Sequence, residues 1–75
     1  MKIEILGTGC AKCTQLYANA LDALRASGKE GEVVKVQEIP KIMAYGVMAT
    51  PALVVDGEVK FSGRVASADE IKGML

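Results

Sequence analysis

The spacing of apolar residues changes from block to block along the chain, and each block predicts an element. Residues 2–6 are mostly apolar and predict a first strand, and a Gly-Thr-Gly loop follows them. Beyond the loop, apolar residues recur every three or four positions, which predicts a helix from Cys10 or Ala11 to Ser27, ended by a left-handed Gly28. The predicted core face of this helix is Cys13, Leu16, Tyr17, Ala20 and Leu24.

The middle of the chain predicts a second strand and a short second helix. Glu32 to Glu38 is rich in valine, which favours a strand. Pro40 suits the first turn of a helix from Ile39 to Tyr45, because that turn needs no N–H donor at this position. A strand, a helix and a second strand at this spacing predict a right-handed parallel crossover.

The last third of the chain predicts a hairpin and a final helix. Two apolar runs, 52–55 and 59–62, flank Asp56-Gly57, a dipeptide that favours a tight hairpin turn. Ser67 and Glu70 have the spacing of a capping box, so the final helix is predicted to start at Ser67. The predicted order is β-α-β-α-β-β-α, an α/β fold in a single domain of residues 1–75.

Composition and charge exclude several classes of function. Nine basic and nine acidic side chains cancel, and no basic stripe is present to neutralise phosphates. Nucleic-acid binding is therefore not expected. The apolar runs are too short to span a bilayer, and the first residues lack the pattern of a secretory signal. We expect no membrane association.

The two cysteines, Cys10 and Cys13, are the strongest chemical signal in the sequence. A bridge between them would close a very small loop and constrain the unfolded chain little, so a reversible dithiol is favoured over a structural disulfide. At a helix start, backbone N–H groups and the cation of Lys12 favour a thiolate, which predicts a lowered pKa for Cys10. Cys13 lies one turn deeper on the apolar face. Cys10 is therefore predicted to attack a disulfide and Cys13 to resolve the product.

Other uses of the two thiols stay open at this point. A soft-metal carrier could bind Cu(I) between two thiolates. A closed zinc site needs four ligands and this chain has no histidine, so zinc within one chain is not expected, whereas zinc or a cluster shared between two subunits stays open. A structural or adaptor domain with an unused dithiol is a further alternative. The predicted final helix disfavours the known soft-metal carriers, whose ferredoxin-like fold ends in a strand.

The second half of the chain carries a family resemblance. The sequence TPALVVDG at residues 50–57, followed by GRVAS at 63–67 and a helix, resembles glutaredoxins and thioredoxins, as does GTGCAKC at 7–13. Together these stretches resemble the small prokaryotic glutaredoxin-like or thioredoxin-like redox-active disulfide proteins. The resemblance implies a minimal thioredoxin-like fold with a four-stranded mixed sheet. It also implies that Pro51 is a cis-proline facing the dithiol and that Thr50 contacts the substrate.

From the chemistry and the resemblance together we expect a thiol–disulfide oxidoreductase that acts on protein disulfides. We expect it to act in the cytoplasm as a monomer, without a bound cofactor or metal, and to be served by an unidentified reductase. Glu4 is the only acid in the first strand and is expected to face solvent or a sheet edge. Met43, Met48 and Met74 are expected to fill the core.

Overall fold

The structure is a computed structural model that describes residues 1–9 and 11–75. The predicted order of elements is confirmed. None of the helices in these residues is both long and apolar enough to cross a membrane. The elements are β1 (Lys2–Leu6), α1 (Ala11–Ser27), β2 (Glu32–Val36), α2 (Ile39–Ala44), β3 (Ala52–Val55), β4 (Glu58–Ser62) and α3 (Ala68–Lys72).

The four strands form one mixed sheet in the order β2-β1-β3-β4. β1 is parallel to β2 and antiparallel to β3, while β3 and β4 form an antiparallel hairpin. The predicted four-stranded mixed sheet of an α/β fold is therefore confirmed. β1 has a neighbour on both sides, so the strand that leads to the cysteines lies in the interior of the sheet.

The sheet is covered on both faces because successive residues of β1 point to opposite sides. Ile3 and Ile5 pack with α1 and α3 in the larger cluster, whereas Leu6 packs with α2 in the smaller one. The buried members of the larger cluster are Ile3, Ile5, Leu16, Ala20, Ala23, Leu24, Val33, Leu53, Val55, Ala66 and Ile71. Those of the smaller cluster are Leu6, Val36, Ile42, Ala52 and Val54.

The Asp-Gly hairpin turn forms as predicted. Asp56 and Gly57 have φ of 49° and 85°, the left-handed conformations that a two-residue turn of this hand requires at both positions. The Asp56 carboxylate also accepts a hydrogen bond from the Lys2 backbone N–H at 2.8 Å. Glu58, which the sequence leaves unassigned, belongs to β4.

Two element ends differ from the predictions by one or two residues. β2 ends at Val36 rather than Glu38, because Glu38 is already the N-cap of α2 and its carbonyl accepts backbone hydrogen bonds from that helix at 3.1 Å. α2 ends at Ala44, with Tyr45 as its C-cap. α1 ends at Ser27 as predicted, with Gly28 at φ 70°.

The capping box of α3 is present in full. The Ser67 hydroxyl accepts a hydrogen bond from the Glu70 N–H at 3.2 Å, and the Glu70 carboxylate accepts one from the Ser67 N–H at 3.4 Å. Arg64 also donates to Glu70, at 3.0 Å. The predicted helix start at Ser67 is confirmed, and α3 buries Ile71 against the core.

We expect Ser67→Ala to lower the free energy of unfolding by about 1 kcal/mol, because the orphan N–H at the start of α3 loses its acceptor. Urea titration monitored by circular dichroism measures this loss. Ser62→Ala, at an exposed position in β4, is the control and should leave stability nearly unchanged. Equal stability of both variants would mean that the cap contributes nothing.

Candidate active site

The ends of β1 and β2, the start of α1 and the segment before β3 meet at one edge of the sheet. β1 and β2 are parallel, and their final residues, Leu6 and Val36, pair with each other. β3 runs the opposite way, and its first residue, Ala52, also pairs with Leu6. The fold therefore brings the start of α1, which carries Cys13, and the segment before β3 to the same place.

Cys13 is the third residue of α1 and lies on its buried face. Only 6% of its surface is exposed, and Leu16 on the next turn is fully buried. Helical spacing explains this placement, because residues three positions apart share a face. Cys10, the predicted nucleophile, lies outside the described residues; α1 begins at the residue that follows it, Ala11.

Gly7 lies directly beneath the Cys13 side chain. A Cβ on Gly7 would overlap Cys13 Sγ and would lie 3.3 Å from Cys13 Cβ. The same Cβ would lie 3.8 Å from Thr50 Cβ. Cys13 and Thr50 therefore approach each other across a residue that has no side chain.

The segment before β3 carries the two predicted substrate-binding residues. The Thr50–Pro51 peptide bond is cis, as the resemblance implies. Pro51 is fully buried, and its carbonyl accepts a hydrogen bond from the Gly63 N–H at 2.8 Å. Thr50 is exposed. The structure thus brings Thr50 and Pro51 to the edge that carries Cys13, while their role in binding stays a prediction.

A small cavity adjoins the buried thiol. Its volume is about 10 Å³, close to the minimum that holds one water molecule. The cavity is lined by Ile5, Gly7, Gly9, Cys13, Thr14, Lys35 and Gln37. One of these lining residues, Lys35, also contacts Tyr17: its ammonium lies 4.8 Å from the centroid of the Tyr17 ring, a distance typical of a cation–π contact.

The expectation for Glu4 is wrong. Glu4 is 9% exposed, because β1 is an interior strand and α2 covers the face to which this side chain points. The Tyr45 hydroxyl donates to the carboxylate and lies 2.9 Å from both of its oxygens. This hydrogen bond, together with burial and the negative charge of Glu4, raises the pKa of Tyr45. On β1 the Glu4 side chain alternates with Ile5, which faces α1, so Glu4 points away from the helix that carries Cys13.

The expectation that the methionines fill the core is wrong for two of them. Met43 is 69% exposed and Met48 is fully exposed, whereas Met74 is partly buried against the larger cluster. α2 buries only Ile42, so its other side remains in solvent. Within residues 1–9 and 11–75, no group of three or more acidic, cysteine or histidine side chains is placed to hold a metal ion.

Two contacts described above are not predicted by the sequence: that of Gly7 with Cys13 and that of Tyr45 with Glu4. Gly7 carries a weak signal, a glycine directly after a buried strand, which often marks close backbone approach. Tyr45 carries none, because its partner Glu4 is 41 residues away along the chain. Neither contact follows from local spacing.

Comparison with known proteins identifies the family. The model of the thioredoxin domain family matches residues 1–75. A thioredoxin from Methanothermobacter thermautotrophicus is 49% identical over 75 residues, which is all of this chain and 97% of that protein. A thioredoxin from Methanocaldococcus jannaschii is 40% identical over 73 residues, which is 97% of this chain and 84% of that protein. The chain therefore belongs to the thioredoxin domain family, a family of thiol–disulfide oxidoreductases.

Proposed function

We propose that this protein reduces protein disulfides through Cys10 and Cys13. In the first step the Cys10 thiolate attacks one sulfur of the substrate disulfide, forms a mixed disulfide and releases the other substrate sulfur as a thiolate. In the second step the Cys13 thiolate attacks the Cys10 sulfur and releases the remaining substrate thiolate. Two electrons pass to the substrate, which takes up two protons, and the protein is left as the Cys10–Cys13 disulfide.

The burial of Cys13 on α1 is the observation that carries this proposal. A thiol that is 6% exposed cannot be the first to meet a protein substrate, and burial favours its neutral form. The other cysteine of the chain directly precedes the first residue of α1. The backbone N–H groups and the dipole at the start of a 17-residue helix favour a nearby anion, so Cys10 is the better candidate for the reactive thiolate.

Thr50 and Pro51 are the proposed contacts for the substrate. Thr50 is exposed and lies across Gly7 from Cys13, at the start of the segment that enters β3. An extended substrate segment could pair there with the Thr50 backbone, in the manner of an added strand. The substrate disulfide would then lie beside the dithiol.

The proposal includes a second partner, a reductase that returns the Cys10–Cys13 disulfide to the dithiol after each cycle. Its chemistry need only supply two electrons and two protons through another thiol pair. We further propose that the protein acts as a monomer in the cytoplasm and holds no cofactor of its own.

Reduction of insulin with dithiothreitol as the electron source tests the proposal. We expect the wild-type protein to accelerate the reaction well beyond dithiothreitol alone, since a pre-organised dithiol exchanges faster than a free one. A parallel titration with Cu(I) tests the soft-metal alternative. Tight binding of Cu(I) without any acceleration of insulin reduction would reverse the assignment in favour of a metal carrier.

A further inference from the structure

The reason for a glycine at position 7 is space rather than backbone conformation. Gly28, Gly46 and Gly57 all have positive φ and have no atom near the position of an added Cβ. Gly7 is the reverse: its φ lies outside the left-handed range, and the position of its Cβ is occupied by Cys13 Sγ. An alanine at this position would not need a left-handed backbone, but it would overlap Cys13 Sγ and lie 3.3 Å from Cys13 Cβ.

Both the backbone at Gly7 and the helix α1 are held in place on either side of this contact. The Gly7 N–H donates to the Val36 carbonyl at 3.0 Å, directly beyond the last paired residues of β1 and β2. On the other side, α1 is held to the sheet by Leu16 and Ala20, which are both fully buried. A methyl group at position 7 would therefore displace the Cys13 side chain rather than the strand or the helix.

We infer that Gly7 is a positioning residue for the resolving step. Because it has no side chain, Cys13 Sγ can pack against the end of β1, and the position of this sulfur sets the lifetime of the mixed disulfide. This inference rests on the proposed function. In the step concerned, Cys13 releases its proton to water and its Sγ forms a bond to the Cys10 sulfur. The bond between Cys10 and the substrate breaks, and the substrate leaves as a thiolate that takes up a proton from water. Such a displacement requires the attacking sulfur at a defined distance and angle.

Gly7→Ala tests the inference through the separate rates of the two steps. We expect the mixed disulfide with a protein substrate to form within about twofold of the wild-type rate, because Cys10 carries that step. We expect its resolution to slow by about 10- to 100-fold, as a misplacement near 1 Å produces. Quenching with acid and separating the products without reductant measures both rates. Resolution at the wild-type rate would overturn the inference.

Gly31→Ala is the matched control. A Cβ on Gly31 would overlap the Met1 carbonyl oxygen, which gives similar crowding at the residue just before β2 begins, far from the dithiol edge. We expect Gly31→Ala to lose stability but to resolve the mixed disulfide at the wild-type rate. Equal slowing of resolution in both variants would mean that general destabilisation is the cause, and the inference would fail.

Three further variants keep the test decisive. If Gly7→Ala does not fold, the melting temperature of Gly7→Ala/Cys13→Ala is compared with that of Cys13→Ala. Removal of Sγ should make the added methyl group tolerable, and a large loss in this background would refute the contact. Cys13→Ser reports on the proposed function itself: if it forms no mixed disulfide with the substrate, the dithiol mechanism fails and this inference fails with it.

Discussion

Cys10→Ser is expected to abolish reduction of protein disulfides, whereas Cys13→Ser is expected to stop the reaction after its first step. A serine hydroxyl at position 10 supplies no thiolate, so turnover should fall by at least about a thousandfold, as for other enzymes that lose their nucleophile. Cys13→Ser keeps the nucleophile but has nothing to resolve the product. It should therefore accumulate a one-to-one mixed disulfide with the substrate.

Electrophoresis without reductant and intact mass measurement distinguish the two variants. The double variant Cys10→Ser/Cys13→Ser supplies the baseline, since the chain has no other cysteine. A mixed disulfide that forms in Cys10→Ser but not in Cys13→Ser would exchange the two roles. Full turnover by both single variants would rule out the dithiol mechanism altogether.

The rate of alkylation in the same two variants measures the activation of each thiol. In Cys13→Ser, the remaining Cys10 should alkylate half-maximally below pH 8.5, the ordinary pKa of a cysteine, because the helix start favours its thiolate. In Cys10→Ser, the remaining Cys13 should react much more slowly, since it is 6% exposed. Alkylation of Cys10 only above pH 8.5 would contradict the activation by the helix.

The elements that the sequence predicts are those whose signals are local. The helical spacing of α1, the Asp56-Gly57 turn and the capping box at Ser67 each act within a few residues, and all three appear where expected. Boundaries are less certain because two elements compete for the same residues. At Glu38 the start of α2 prevails over the extension of β2.

The surroundings of Glu4 could not be predicted, because burial of a strand residue depends on what covers its face. α2 and Tyr45 cover it, and they lie about forty residues further along the chain. The exposure of Met43 and Met48 has the same origin: hydrophobicity predicts that a side chain should be buried, but α2 has only one covered side.

In the candidate site, too, the sequence predicts the features that depend on local spacing and not those that depend on packing. The spacing of Cys10 and Cys13 at the start of a predicted helix indicates a dithiol, and spacing alone places Cys13 on the buried face. The position of Thr50 and Pro51 near that thiol comes from the family resemblance, because nothing in residues 50–51 themselves refers to residue 13. The space required beneath Cys13 Sγ becomes visible only when β1 and α1 are packed together.

Tyr45→Phe is expected to lower the free energy of unfolding by about 2–3 kcal/mol, far more than loss of a surface hydrogen bond, since it leaves a buried carboxylate without its donor. Tyr45 is the residue that donates to Glu4, at 2.9 Å from both oxygens. Phenylalanine keeps the ring and removes only the hydroxyl. Urea titration near neutral pH measures the loss.

A second substitution, Glu4→Leu, separates the cost of the unpaired charge from the loss of the hydroxyl. In Glu4→Leu/Tyr45→Phe, the buried charge and its donor are both absent, and stability should return to within about 1 kcal/mol of the wild-type protein. Glu4→Leu alone should cost less than Tyr45→Phe, because it strands no charge and Tyr45 is only partly buried. Equal losses in Tyr45→Phe and in the double variant would mean that the unpaired Glu4 carboxylate is not the cause of the loss.

The same pair predicts how stability responds to alkali. The hydrogen bond to Glu4, burial and the charge of Glu4 raise the pKa of Tyr45 above its ordinary value of 10.0. A group whose pKa is higher in the folded state holds its proton longer there, so its contribution to stability is complete below the unfolded pKa and is lost as the pH rises through the folded pKa. As the pH rises above about 10, the wild-type protein should therefore lose more stability than Tyr45→Phe. Parallel losses in both proteins would show that Tyr45 does not hold its proton through Glu4.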